Sequence, residues 1–155
     1  MVQEIRQWFD GPLVLSGAIA SGGAVLAAKA AGADLAYVGS PFIATDEANA
    51  GDDYKQSIVN SGAADIVYSD LFTGVHGNYL RSSIVNSGLD PDNLDAGNLD
   101  TMKFGSGGSS KTKAWKDIWG SGQGIGVVDR VRPASDYVDL LAEQYAAAKA
   151  RLCAS

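Results

Sequence analysis

Gly17 and Gly39 each follow a short apolar run: Leu13-Val14-Leu15-Ser16-Gly17-Ala18-Ile19 and Leu35-Ala36-Tyr37-Val38-Gly39-Ser40. Between the runs, Gly23 to Ala31 is alanine-rich and reads as a helix. The order is strand, helix, strand, with glycine at the C-terminal end of both strands. In parallel α/β proteins that end is where ligands bind. A glycine there lets backbone come close to an anion, and N–H groups can point at phosphate oxygens. The pair suggests a phosphate-bearing cofactor held by two adjacent strand ends.

Other residues offer weaker chemistry. Gly105 to Thr112 nearly spells a nucleotide-triphosphate loop, but Ser110 replaces the second glycine and no apolar strand precedes it. A solvated Gly/Ser loop over Lys103 to Lys113 is the better reading. Gly120-Ser121-Gly122-Gln123-Gly124-Ile125-Gly126 is not a dinucleotide fingerprint, because Ile125 holds the third glycine position and no strand is predicted to lead into it. It is either an irregular loop or a backbone loop that closes over a ligand, with Gln123 as a polar contact. His76, the single histidine, lies between glycines in Thr73-Gly74-Val75-His76-Gly77 and reads as an exposed loop residue. One histidine and the distant Cys153 make no metal cluster. Ser16 and Ser40 lack a histidine at motif spacing, so nucleophilic catalysis has no support. The tyrosines and tryptophans read as core rather than as cofactor-stacking rings.

The elements that must position these residues follow from pattern. Val2 to Phe9 predicts a helix with Val2, Ile5 and Phe9 on one face. Ser21 is the N-cap of the alanine-rich helix, Val25, Ala28 and Ala31 its apolar face, and Gly32 its C′ residue. Leu35 to Val38 is apolar at consecutive positions, as in a strand buried on both faces. Thr45-Asp46-Glu47 is a helix-start signal. The hexapeptide Ser-Ile-Val-Asn-Ser-Gly occurs at Ser57 to Gly62 and at Ser83 to Gly88, which predicts two helices with similar glycine stops. Ala64 to Leu71 is a short extended segment between them. Pro133 and Ser135 open a last helix with Val138, Leu141, Tyr145, Ala148 and Leu152 on one face.

The chain has 155 residues, 46% hydrophobic and 19% charged, which suits one globular domain or part of one. A formal net charge of -6 disfavours nucleic acid and anionic membranes as partners. No apolar run approaches the roughly 20 residues of a membrane span, and the polar N-terminus is no signal peptide. A single cysteine fits a reducing cytoplasm.

Several blocks in this order resemble the C-terminal part of nitronate monooxygenases, flavin enzymes also called 2-nitropropane dioxygenases. They are Gly17-Ala18-Ile19-Ala20-Ser21-Gly22, Gly32-Ala33-Asp34, Val38-Gly39-Ser40-Pro41-Phe42, Tyr54-Lys55, Ile66-Val67-Tyr68, Phe72-Thr73-Gly74-Val75 and Trp119-Gly120-Ser121-Gly122-Gln123-Gly124. The resemblance implies an α/β fold, a TIM (β/α)8 barrel binding flavin mononucleotide (FMN). Leu13 to Leu15 and Leu35 to Val38 would be strands seven and eight. Residues 1–50 would form that part of the barrel, and 51–113 a mainly helical insertion with the Gly/Ser loop. Residues 114–155 would supply the glycine-rich active-site loop and a returning helix.

The implied cofactor site is Ser16, Gly17, Ala18, Gly39, Ser40, Gln123 and Gly124. Relatives often carry glycine at Ala18 and threonine at Ser40; Ser40 keeps the hydroxyl, and Ala18 requires a negative φ. No catalytic residue is assigned, because the family histidine falls upstream of Met1. The implied activity is oxidation of alkyl nitronates with dioxygen. The alternatives are an NAD(P)H-dependent quinone or enoyl reductase of the same superfamily, or a non-catalytic half-barrel module. Two strands cannot close a barrel, so the chain alone is expected to be inactive, and to be a homo-oligomer, aggregation-prone, or partnered with an N-terminal half-barrel.

Overall fold

The computed structural model describes residues 1–94 and 117–154. The Gly/Ser loop expected over Lys103 to Lys113 lies outside them.

The chain starts with a short helix, α1 (Val2–Ile5), which stops four residues before the Phe9 expected to end it. Strand β1 (Val14–Leu15) pairs in parallel with β2 (Leu35–Ala36), with Val14 opposite Leu35. Helix α2 (Gly22–Ala30) connects them as predicted. The Ser21 hydroxyl accepts from the Ala24 N–H, and Gly32 turns the chain at φ +102°. An Asp34 oxygen closes the turn into β1, accepting from Leu13 N–H at 2.7 Å and from Arg6 at 2.5 Å. One expectation fails here. The sheet is covered on one face by α2, while Val14, Leu35 and Tyr37 on the other are 48%, 59% and 62% exposed. Two strands lack the neighbours that would bury both faces.

After α3 (Ser40–Ile43) no helix starts at Thr45–Glu47. Those residues run instead beside the far end of the chain. Thr45 bridges Arg132, the Asp46 N–H donates to Arg132 O, and Glu47 Oε2 accepts from Ala134 N–H at 2.8 Å. Glu47 thus caps another helix rather than opening its own, placing a carboxylate at a positive helix end.

The hexapeptide copies do form helices, α4 (Asp52–Val59) and α5 (Arg81–Asn86). Their stops differ: Gly88 sits at φ +84°, whereas Gly62 has an ordinary extended backbone at φ -126°. Between them lies an antiparallel hairpin, β3 (Ile66–Ser69) with β4 (Gly77–Leu80), so the segment after residue 50 is not helical throughout. The hairpin forms because Tyr79 buries against Phe72, Ile84 and Ile118, and Leu80 against Ala44, Ile58, Ile125 and Val128. Local propensity at Gly77-Asn78 argues against a strand, and tertiary packing overrides it.

Two clusters make the core. Ala44, Ile58, Leu80, Ile125 and Val128 join α3, α4, the hairpin and the glycine-rich loop. Phe72, Tyr79, Ile84 and Ile118 lie beneath the hairpin.

The last helix, α6 (Ala134–Cys153), returns to pack on α2. The middle of the predicted face holds: Ala148 is buried and Leu141 and Tyr145 are half-buried, while Val138 and Leu152 towards its ends are 52% and 65% exposed and Tyr137 is buried instead. Gly22 lets the middle of that face come closest. An added Cβ there would sit 2.1 Å from Leu141 O and 2.3 Å from Tyr145 N, so the two backbones nearly touch. Gln144 Oε1 accepts the Gly22 N–H at 2.9 Å, and the Tyr137 hydroxyl donates to Ala20 O at 2.6 Å. Burial pushes the Tyr137 phenol up to about 12, which keeps it a donor.

Gly22→Ala will force the helices apart and cost about 2 kcal/mol or more; circular-dichroism unfolding will show a lowered midpoint. A second outcome concerns pH. The Leu13 N–H, then Arg6, hold the Asp34 carboxyl below its ordinary 3.8. The stability it adds is therefore present above pH 3.8 and lost as pH falls through the lowered native value. Unfolding midpoints of wild type and Asp34→Asn will differ at neutral pH and converge in acid.

Candidate functional site

The C-terminal ends of β1 and β2 lie side by side, so Ser16-Gly17-Ala18 and Gly39-Ser40 are neighbours. Gly17 has φ +138°, and a Cβ added there would meet nothing within 4 Å. Ala18 has a negative φ, since no non-glycine residue among those described is positive. The alanine is therefore compatible with the turn. Ser16, Gly17, Ala18 and Gly39 are exposed, and the N–H groups of Gly17, Ala18, Gly39 and Ser40 make no hydrogen bond among the described residues. They are donors open to an incoming acceptor.

The third component comes from far along the sequence. Gly122 N–H donates to Ser40 Oγ at 2.7 Å. A Cβ on Gly124 would lie 2.5 Å from Ala18 O, so this backbone rests on the backbone after β1. Of the two readings left open for Gly120 to Gly126, the structure has this loop seated on both strand ends. Between them remains a gap of only about 10 Å³, bounded by Gly17, Ala18, Ser40, Gly122 and Gly124 among others. Space of that size holds about one water molecule at most, so the open donors face outward from these backbones rather than into the gap. The Gln123 side chain is exposed and makes no hydrogen bond among the described residues.

The loop is held by a strand that the sequence did not reveal. Residues 119–121 pair antiparallel with β4: Leu80 N–H donates to Trp119 O at 2.8 Å, Ser121 N–H donates to Asn78 O at 3.0 Å, and Tyr79 bridges Gly120. Buried Ser83 joins in, accepting from Trp119 N–H at 3.0 Å while donating to Leu80 O at 2.8 Å. From the other side, Tyr54 stacks on Trp119 with ring centroids 5.0 Å apart. Beside the strand ends, a cleft of about 330 Å³ runs from Gly39 past Phe42 and Asn49 to Tyr54. A second, of about 660 Å³, shares Asn49, Ala50 and Tyr54 and reaches Trp119 and Gly120. His76 lines neither; it lies against Tyr68, 4.9 Å between ring centroids, at the hairpin. Among the described residues no group of acidic, histidine or cysteine side chains could hold a metal ion. No helix there is long and apolar enough to cross a membrane.

The family model for nitronate monooxygenase matches residues 1–144. The chain belongs to the nitronate monooxygenase family. It is 26% identical over 87 residues to a probable nitronate monooxygenase of Staphylococcus haemolyticus (strain JCSC1435), covering 56% of this chain and 24% of the relative. It is similar to the solved nitroalkane oxidase of Streptomyces ansochromogenes, with 28% identity and a TM-score of 0.70 over 97% of this chain and 44% of that one. FabK from Thermotoga maritima has 20% identity and a TM-score of 0.73, over 99% and 50%. That likeness shows the α/β fold alone. The chain spans half or less of the length of these relatives.

Within this family member, the loop contact will respond to Gly124 more than to its neighbour. Gly124→Ala will lift the 120–127 segment from Ala18 and expose it to limited proteolysis. Gly126→Ala, whose added Cβ meets only Gly62 Cα at 3.6 Å, will leave cleavage unchanged.

Proposed function

We propose that this chain is the FMN-phosphate-binding portion of a barrel enzyme that oxidises alkyl nitronates with dioxygen. The observation that carries the reading is the joining of the two strand ends and the glycine-rich loop through Ser40 and Gly122. Family membership supplies the activity. The chain corresponds to the last two βα units of the barrel, and its bare strand face, Val14, Leu35 and Tyr37, is where the remaining strands pack.

The residues fit a phosphate. It needs donors without competing charge, and the four N–H groups of Gly17, Ala18, Gly39 and Ser40 supply them. The Ser40 oxygen already accepts from Gly122, so its own O–H is left to donate. FMN, when bound, supplies the redox chemistry. The described residues bind and orient it and provide no base at the strand ends, His76 being at the hairpin. Proton abstraction falls to a group beyond this cradle.

A second reading is an FMN-dependent NAD(P)H:quinone or enoyl reductase of the same superfamily, which would use the same phosphate cradle. Steady-state assays of the enzyme, with an N-terminal half-barrel co-expressed where the chain alone is inactive, separate them. Nitronate-dependent oxygen uptake without NADH consumption supports the oxidase. Rapid NADH oxidation with no nitronate turnover overturns it. Ser40→Ala will weaken FMN binding about tenfold in flavin-fluorescence titrations, by loss of one charge-assisted donor, and Ser40→Thr will restore it.

A further inference from the structure

Tyr54 stands on α4, outside both strand ends, yet it reaches the loop that completes them. Its hydroxyl donates to the Gly120 carbonyl, and its ring lies flat on Trp119, 14° between the planes. Two residues on, Gly122 N–H donates to Ser40 Oγ. A continuous path therefore runs from the Tyr54 hydroxyl through the Gly120–Gly122 backbone to the serine hydroxyl. Glycines have no side chains to fix their own peptide planes, so a loop of this composition depends on outside partners for its conformation. On one side that partner is β4, which fixes residues 119–121 by backbone pairing. On the other it is Tyr54. Burial raises the Tyr54 phenol above its ordinary 10.0, so it stays a donor throughout the neutral range.

We infer that Tyr54 is a positioning residue for the phosphate cradle, holding the Gly120–Gly122 backbone so that Ser40 Oγ is engaged as an acceptor and its O–H is turned toward the ligand. It contacts no ligand atom itself. This rests on the FMN-phosphate reading above and adds a residue from the insertion to it. A merely structural Tyr54 would support the fold without favouring one flavin over another. A positioning Tyr54 acts on the phosphate alone.

Tyr54→Phe keeps the ring on Trp119 and removes only the hydroxyl. Binding of FMN and of riboflavin, which lacks the phosphate, is measured by flavin fluorescence. Hydrogen exchange at the Gly122 amide is followed by NMR without flavin. The expected result is FMN affinity lowered about five- to tenfold, the loss of one hydrogen bond. Riboflavin affinity stays unchanged and Gly122 exchanges faster. In a Ser40→Ala background the Tyr54 substitution has little further effect on FMN. Equal weakening of both flavins, or additive loss in the double variant, overturns the inference. A wild type that binds FMN no better than riboflavin overturns the phosphate reading instead. Gly122 exchange then decides whether Tyr54 holds the loop: faster exchange sustains that role and unchanged exchange ends it.

Discussion

The contact on which the structure depends is the near touching of backbones where Gly22 meets the Leu141–Tyr145 turn of α6. A two-residue parallel pair has too few hydrogen bonds and too little apolar area to persist alone. Here α2 covers one face of it, and α6, from the other end of the chain, covers α2. The Gln144 side chain and the Tyr137 hydroxyl satisfy backbone groups at Gly22 and Ala20 that this close approach would otherwise leave dry. Because α6 is anchored there, the segment just before it must pass the strand ends. The glycine-rich loop is part of that segment.

The proposed binding in this cradle would be a property of backbone more than of side chains. The open donors at the strand ends are peptide N–H groups, and the hydroxyl of Ser40 is the polar side chain joined to them. Such a site tolerates sequence change as long as the main-chain path is kept. Ala18 illustrates it: the negative φ there admits a Cβ, so the alanine leaves the turn intact. The opposite holds at Gly122 and Gly124, where a Cβ would meet the Ser40 hydroxyl at 3.2 Å and Ala18 O at 2.5 Å.

Local signals made much of this legible before any coordinates. The Ser21 cap, the Gly32 turn and the apolar runs mark strand, helix, strand, because each feature is decided within a few residues. Features set by distant partners were not legible. Gly77-Asn78-Tyr79-Leu80 has poor strand propensity and becomes β4 only against β3 and residues 119–121. Thr45–Glu47 carries helix-start chemistry but spends it on α6. Periodicity finds the middle of the inward face of α6, Leu141, Tyr145 and Ala148, but not its start, where Tyr137 turns inward to reach Ala20 O. At the site, the glycines could be found by composition, whereas the Ser40–Gly122 bond and the reach of Tyr54 join residues with no pattern in common.

The bridge between Thr45 and Arg132 bears on how such a protein can change over generations. The chain passes Thr45 on its way out and Arg132 on its way back, so the residues between form one excursion, a lobe whose return is held beside its start. Closing a loop becomes costlier only with the logarithm of its length, about 0.6 kcal/mol per doubling. The lobe can therefore grow, shrink or be traded for another with little penalty to the strands beneath, provided that it still returns a glycine loop over them. Sequence change can accumulate in the lobe while the backbone path at the strand ends stays as it is.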